Sequence, residues 1–197
     1  MSKIDDMITK QCPSGVEFKR LEEVCDIANN KRKPVEASLR VSGQTPYYGA
    51  NNIQDYVEGF THEGNYVLIA EDGSASLENY SIQYTEGKFW ANNHVHVIKG
   101  GIELNNRFLF HYLGSMNFRP FLSGGERAKL TKAKMIEIKI PVPPLSIQQE
   151  IVDILDSFTK LEAELEAELE AELEARRKQY SFYRNKLLSF NEKMRGG

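Results

Sequence analysis

Cysteine is nearly absent from this chain. Cys12 and Cys25 are the only two in 197 residues, and their spacing matches no metal-ligand pattern. Two reduced thiols in a cytoplasmic protein are the expectation. Long apolar runs are missing as well. No stretch is long enough to span a membrane and none resembles a signal-peptide core, so no membrane association is expected. The motifs of catalysis are also lacking. Gly124-Gly125-Glu126-Arg127-Ala128-Lys129 lacks the spacing of a phosphate loop. Val142-Pro143-Pro144-Leu145 has the prolines of a base-methylating motif but neither flanking group. Glu71-Asp72 reads as a solvated turn, and His94 and His96 share a strand face without a third ligand. No nucleophile–base set stands out, so neither a catalytic residue nor a metal site is expected.

Glycine and proline are absent from Ile147 to Phe190, forty-four residues that predict a helix roughly 66 Å long. Pro141, Pro143 and Pro144 stop the preceding segment, and Ser146 with Gln149 matches a capping box. Inside the run, Leu-Glu-Ala-Glu is copied from Leu161 to Ala175, a repeat of strong helix formers with nothing to do chemistry. Ile151, Phe158 and Leu165 fall seven apart, with Ile154 and Leu161 at the second heptad position. Leu173, Tyr180 and Leu187 form another seven-spaced set, with Tyr183 and Phe190 beside them. Each four-residue copy rotates its leucine by about 40°, so Leu165, Leu169 and Leu173 carry the seam from one register to the other.

Basic residues are missing between Glu162 and Glu174, which leaves glutamates four apart along the helix with nothing to offset them. Such a helix is expected to pair with another long helix, and the heptads allow parallel or antiparallel pairing. The net charge of −3 lies wholly here, since residues 1–145 carry 17 basic and 17 acidic residues.

Those first 145 residues read as an α+β domain, a mixed α/β fold followed by the coiled-coil helix of 146–192 and a tail of 193–197. Val16–Cys25 reads as a short strand or helix entry, and Lys31-Arg32-Lys33-Pro34 as a basic turn. Thr45–Asn52 reads as a turn-rich loop, and Tyr66–Ala70 as a buried strand. Phe89-Trp90 and Val95–Ile98 read as a strand pair around Asn92-Asn93-His94, Arg107–Leu113 as a helix and Ile136–Val142 as a final strand.

One segment reads as a binding surface. Arg119–Lys139 carries an excess of four positive charges, including Arg127, Lys129, Lys132 and Lys134, and it contains the flexible Ser123-Gly124-Gly125. Cations in such a loop suit phosphate contacts, which position a protein on a duplex without reading sequence. The basic turn Lys31, Arg32 and Lys33 belongs with them. Base-edge readers are expected among Gln44, Asn51, Asn52, Asn92 and Asn93, amides able to pair with adenine, with Tyr47 and Tyr48 in the same loop.

The stretch from Gly125-Glu-Arg-Ala-Lys-Leu-Thr-Lys to Ile138-Lys-Ile-Pro-Val-Pro-Pro-Leu-Ser-Ile-Gln-Gln-Glu resembles the specificity (S) subunit of type I restriction-modification systems. Tyr47–Asn52, Val67–Ser74 and Phe89–His94 resemble internal motifs of its target recognition domain. Arg176–Leu188 resembles the end of its spacer helix. The resemblance implies recognition of double-stranded DNA without catalysis. It implies docking to methyltransferase (M) subunits and to a restriction (R) subunit. S-adenosylmethionine and ATP would sit on those partners, with no cofactor in this chain. The usual member carries two recognition domains and two helices, whereas one of each is expected here. Two copies should then pair through their helices and read an interrupted palindrome.

Overall fold

The computed structural model describes residues 2–124 and 128–190. In chain order the elements are α1 (Lys3–Gln11), β1 (Phe18–Arg20), α2 (Leu21–Val24), β2 (Cys25–Ile27), β3 (Ser42–Tyr48), β4 (Ile53–Val57) and β5 (His62–Glu63). There follow β6 (Tyr66–Ala70), β7 (Ile82–Thr85), β8 (Lys88–Ala91), β9 (Val95–Gly100), α3 (Asn106–Gly114), α4 (Lys132–Ile136), β10 (Lys139–Pro141) and α5 (Leu145–Leu188). The chain divides into two compact units, the first ending at Asp153 and the second beginning at Ile154.

In the first unit, β6 is apolar along its whole length because both of its faces are covered. It lies inside the antiparallel sheet β2-β9-β6-β7. Val67 and Ile69 pack with Phe108, Leu109 and Leu113 of α3 and with Phe118. Leu68, on the other face, packs with Tyr48, Phe89 and Ala91 of the second sheet. That sheet has the order β4-β3-β8-β5, and its β3–β8 pairing is parallel. A two-stranded ribbon of β1 and β10 brings the start and the end of the domain together. The mixed α/β domain with a long C-terminal helix is the expected fold class.

Several local expectations are corrected. Thr45–Tyr48 is strand, not loop, because β3 is zipped between β4 and β8. Phe89-Trp90 and Val95–Ile98 do not pair with each other: β8 joins β3 and β5, whereas β9 joins β2 and β6. Asn92–His94 therefore crosses between sheets. Ile136 closes α4 and leaves a shorter final strand. Val16–Cys25 holds β1, α2 and the start of β2.

The capping box at Ser146 does not form. Helix α5 begins one residue earlier, at Leu145, with the Pro144 carbonyl accepting from the N–H groups of Ile147 and Gln148. Ser146 Oγ instead lies 3.0 Å from Gln11 Oε1, and Gln149 Nε2 donates to Asp153. The first turns are drawn into the domain by burial of Ile147, Gln148 and Val152. Ile151, placed by its spacing on the pairing seam, is half-buried against the domain core. The Gln148 amide accepts from the Asn105 N–H and donates to the carbonyls of Glu103 and Pro143. This explains why a glutamine follows the prolines at the junction.

The second unit is the remainder of α5. Phe158, Leu161, Leu165, Leu169, Leu173, Tyr180 and Leu187 are all at least half exposed, and Ile154 is exposed too. The i,i+4 ion pairs Lys160–Glu164, Glu172–Arg176 and Glu174–Lys178 lie towards the ends of the acidic block. Among the described residues no helix is long and apolar enough to cross a membrane.

Candidate nucleic-acid interface

Strand ends of both sheets gather four loops. The turn 49–52 joins β3 to β4, residues 71–77 follow β6, residues 92–94 join β8 to β9, and residues 128–131 lead into α4. Asn51 ties the first two, since its Nδ2 donates to the Gly73 carbonyl at 2.8 Å and its Oδ1 accepts from the Ala75 N–H at 2.7 Å. Gly73 turns the chain there at a φ of 70°, a conformation that disfavours side chains with a Cβ. The Glu71 N–H donates to the His94 carbonyl, joining the second loop to the third. Leu130 donates to the Glu71 carbonyl, and Ser123 and Lys129 exchange backbone bonds, which fixes the base of the fourth.

Charge concentrates where these loops meet. Glu71 is 15% exposed; one oxygen accepts from Arg32 at 2.7 Å and the other from Lys129 at 2.9 Å. Burial opposes ionisation of Glu71, but Arg32 and Lys129 outweigh it and hold the carboxyl below its ordinary range. The same contact raises the Lys129 ammonium above its ordinary value. Asp72 accepts from His94 Nδ1 at 2.5 Å. His96 is fully buried, with Nδ1 beside the Asn29 amide and Nε2 beside the Leu130 carbonyl. Burial lowers its pKa, so it stays neutral and donates from Nε2. His94 and His96 thus turn to different partners and share no ligand position. Burial also pushes the Cys25 thiol up to about 12, which leaves it inert as a nucleophile.

The residues expected at a DNA surface divide into two groups. Lys31, Lys33, Gln44, Asn51, Asn52, Asn93, Lys132 and Lys134 are exposed. Lys33 Nζ stands 5.8 Å from the centre of the Trp90 ring. The second group is framework instead of surface. Tyr47 is 1% exposed, stacks on Trp90, and carries the Arg40 guanidinium over its ring. Tyr48 packs edge-on against Phe89. Asn92 is buried, accepting from the His94 N–H. Arg32 spends its guanidinium on Glu71 and on the carbonyls of Asn29 and Val95. Lys129 is half exposed but paired. Arg127 lies outside the described residues.

Sequence reading missed Glu71, taken for a solvated turn, along with Asp72 and His94. The signal was a carboxylate directly after a fully buried strand, where cations from elsewhere can reach it. A cleft of about 590 Å³ opens here, lined by Asp72, Gly73, Ser74, Leu77, His94, Ala128 and Lys129. Its groups are hydrogen-bond donors and acceptors on tied loops, and they form no nucleophile–base pair.

The family follows from comparison. A family model described as the type I restriction modification DNA specificity domain matches residues 13–175, and the chain belongs to that family. It is 71% identical over 183 residues to a putative type I restriction enzyme specificity subunit of Haemophilus influenzae, a match covering 91% of this chain and 48% of the relative. A putative type I specificity subunit of Mycoplasma pneumoniae is 30% identical over 182 residues, covering 89% of this chain and 74% of that protein. The crystal structure of an S subunit from M. genitalium superposes with a TM-score of 0.63 at 20% identity, covering 90% of this chain and 47% of that one. A chain from a structural study of type I system assembly gives a TM-score of 0.65 at 20% identity, covering 92% and 52%. These two structures share the fold. The chain spans about half the length of the Haemophilus relative. The resemblance to specificity subunits is borne out, and that family is one of DNA specificity, not of catalysis.

Proposed function

We propose that this chain is the DNA-reading subunit of a type I restriction-modification system, pairing through its helix with a second copy to recognise an interrupted palindrome. The observation that carries the reading is the gathering of four loops, with the exposed cations Lys31, Lys33, Lys132 and Lys134, on a domain of this family. The exposed cations contact phosphate, and Gln44, Asn52 and Asn93 are the candidate readers of base edges, Asn51 being committed to Gly73 and Ala75. Methyltransferase subunits, which would carry S-adenosylmethionine, and an ATP-driven restriction subunit dock on the assembled dimer.

The helix itself favours one mode of pairing. Its acidic block ends at Glu174, and a basic block with Arg176, Arg177, Lys178, Arg184 and Lys186 follows. Parallel, in-register pairing sets glutamate against glutamate. Antiparallel pairing centred on Arg176 sets Glu166 against Lys186 and Glu168 against Arg184. The same register sets Leu165 against Leu187 and Leu169 against Tyr183, so charge and apolar pairs coincide there. Nearer the centre Leu173 faces Gln179, Tyr180 faces Glu172 and the two Arg176 side chains face each other.

Binding to duplex DNA that weakens steeply with salt, and a solution mass of two chains, are the expected results. A chain that scaffolds through its helix alone would dimerise without salt-dependent duplex binding. Mapping modified bases after co-expression with the cognate methyltransferase gives the site.

A further inference from the structure

Two basic segments far apart in sequence meet on one carboxylate. Arg32 comes from the turn after β2 and Lys129 from the loop before α4, and Glu71 accepts from each on a separate oxygen. The backbone of Glu71 is committed as well, its N–H to His94 and its carbonyl to Leu130. His96 Nδ1 stands 3.7 Å from the same carboxylate, and Asp72 Oδ2 stands 4.0 Å from Lys129 Nζ. Arg32 is further fixed by the Val95 carbonyl at 2.7 Å. We propose that Glu71 is a positioning residue for DNA recognition: it pins both basic segments to the end of β6 and withholds Arg32 and Lys129 from phosphate.

The pinning half of this stands on contacts within the domain. The withholding half rests on the proposed DNA reading. A lysine whose ammonium lies 2.9 Å from a carboxylate releases no counterion from DNA unless that pair breaks. Phosphate contact then falls to cations that Glu71 does not hold, among them Lys132 and Lys134. Removing the Glu71 charge frees Lys129, which is half exposed, while Arg32 stays held by backbone carbonyls.

The test uses the full chain and a fluorescein-labelled duplex of about 30 base pairs of arbitrary sequence, long enough to span several helical turns. Binding is followed by anisotropy across a potassium chloride series. Glu71→Gln should steepen the slope of log K against log salt by about 0.9, the value for one added phosphate contact. Lys129→Met alone should leave the slope at the wild-type value, and the double variant should return to it. An unchanged slope in Glu71→Gln, or a shallower one in Lys129→Met, overturns the withholding role.

Hydrogen exchange reads the pinning without DNA. The amides of Ser123, Lys129 and Leu130 should exchange at least tenfold faster in Glu71→Gln, with the Leu68 amide unchanged, and unaltered exchange at all three overturns it. If Glu71→Gln fails to fold, Lys129→Met carries this half, with faster exchange at Ser123 expected and unchanged exchange overturning it. Absence of salt-dependent binding by the wild-type chain defeats the DNA reading, and the exchange data still decide the pinning.

Discussion

His96 Nε2 lies 2.7 Å from the Leu130 carbonyl oxygen, a bond that ties the buried strand β9 to the segment leading into α4. It requires a neutral imidazole with its proton on Nε2, because the Asn29 amide occupies Nδ1. Burial lowers the pKa of His96 below its ordinary 6.5, and does the same for His62, whose Nε2 sits 3.0 Å from the Ala28 carbonyl. The unfolded chain therefore binds protons at these sites before the fold does. Stability is complete above about pH 6.5 and falls as the pH drops below it. Glu71, held below its ordinary 4.5, adds a further loss beneath that value. Urea midpoints measured from pH 8 to pH 4 should decline in this order, and His96→Gln should flatten the first part of the decline. A midpoint that rises between pH 7.5 and 5.5 contradicts the neutral assignment.

Gln148 is the second buried polar anchor, fully enclosed and bonded to Asn105, Glu103 and Pro143. Gln148→Leu leaves one N–H and two carbonyls without that partner in a closed site. The expected cost is roughly 2–4 kcal/mol of domain stability, read from chemical denaturation. A conservative surface change beside it, Gln149→Glu, should cost far less, because Gln149 is exposed. Equal losses in the two variants would contradict the anchoring role.

The residues legible from sequence were those with a local, periodic signature. Tyr66–Ala70 declared a buried strand, and the absence of glycine and proline declared α5. Tyr47 and Asn92 were misplaced because their burial depends on β3 pairing in parallel with β8, a contact that no local pattern encodes. Arg32 looked like a surface cation for the same reason, since Glu71 reaches it only after both sheets form. Ile151 kept the heptad spacing yet went to the domain core, because the helix starts inside the domain. Spacing sets which face a residue shares; it does not set what covers that face.

Antiparallel pairing centred on Arg176 makes a crosslinking prediction. With Cys12 and Cys25 replaced by serine, a chain carrying Leu165→Cys and Leu187→Cys should oxidise to a covalent dimer. A chain carrying Leu165→Cys alone should not, because its two sulfur atoms would lie far apart along the helix, well beyond disulfide reach. Covalent dimer from the single variant would indicate parallel pairing instead. Raising the salt should weaken antiparallel association, since it screens Glu166–Lys186 and Glu168–Arg184.

The Leu-Glu-Ala-Glu repeat sets length along α5 and contributes no buried side chain of its own. Deleting one copy removes four residues, which shortens the helix by about 6 Å and turns everything beyond the deletion by about 40°. Six ångströms on each of two arms is about 12 Å, between three and four base-pair rises of about 3.4 Å. In a dimer that reads two half-sites, both arms change together, so the half-sites themselves stay the same while the spacing between them contracts. A methylation map of the deletion variant, made with the cognate methyltransferase present, should report unaltered half-site bases and a shorter spacer. Adding a copy should lengthen the spacer, with the half-sites again preserved. A spacer that ignores the copy number would mean that the helix does not set the distance between the reading domains. Altered half-sites would mean that the repeat influences base readout, although Leu161–Ala175 belong to a different compact unit from the loops at residues 49–52, 71–77 and 92–94.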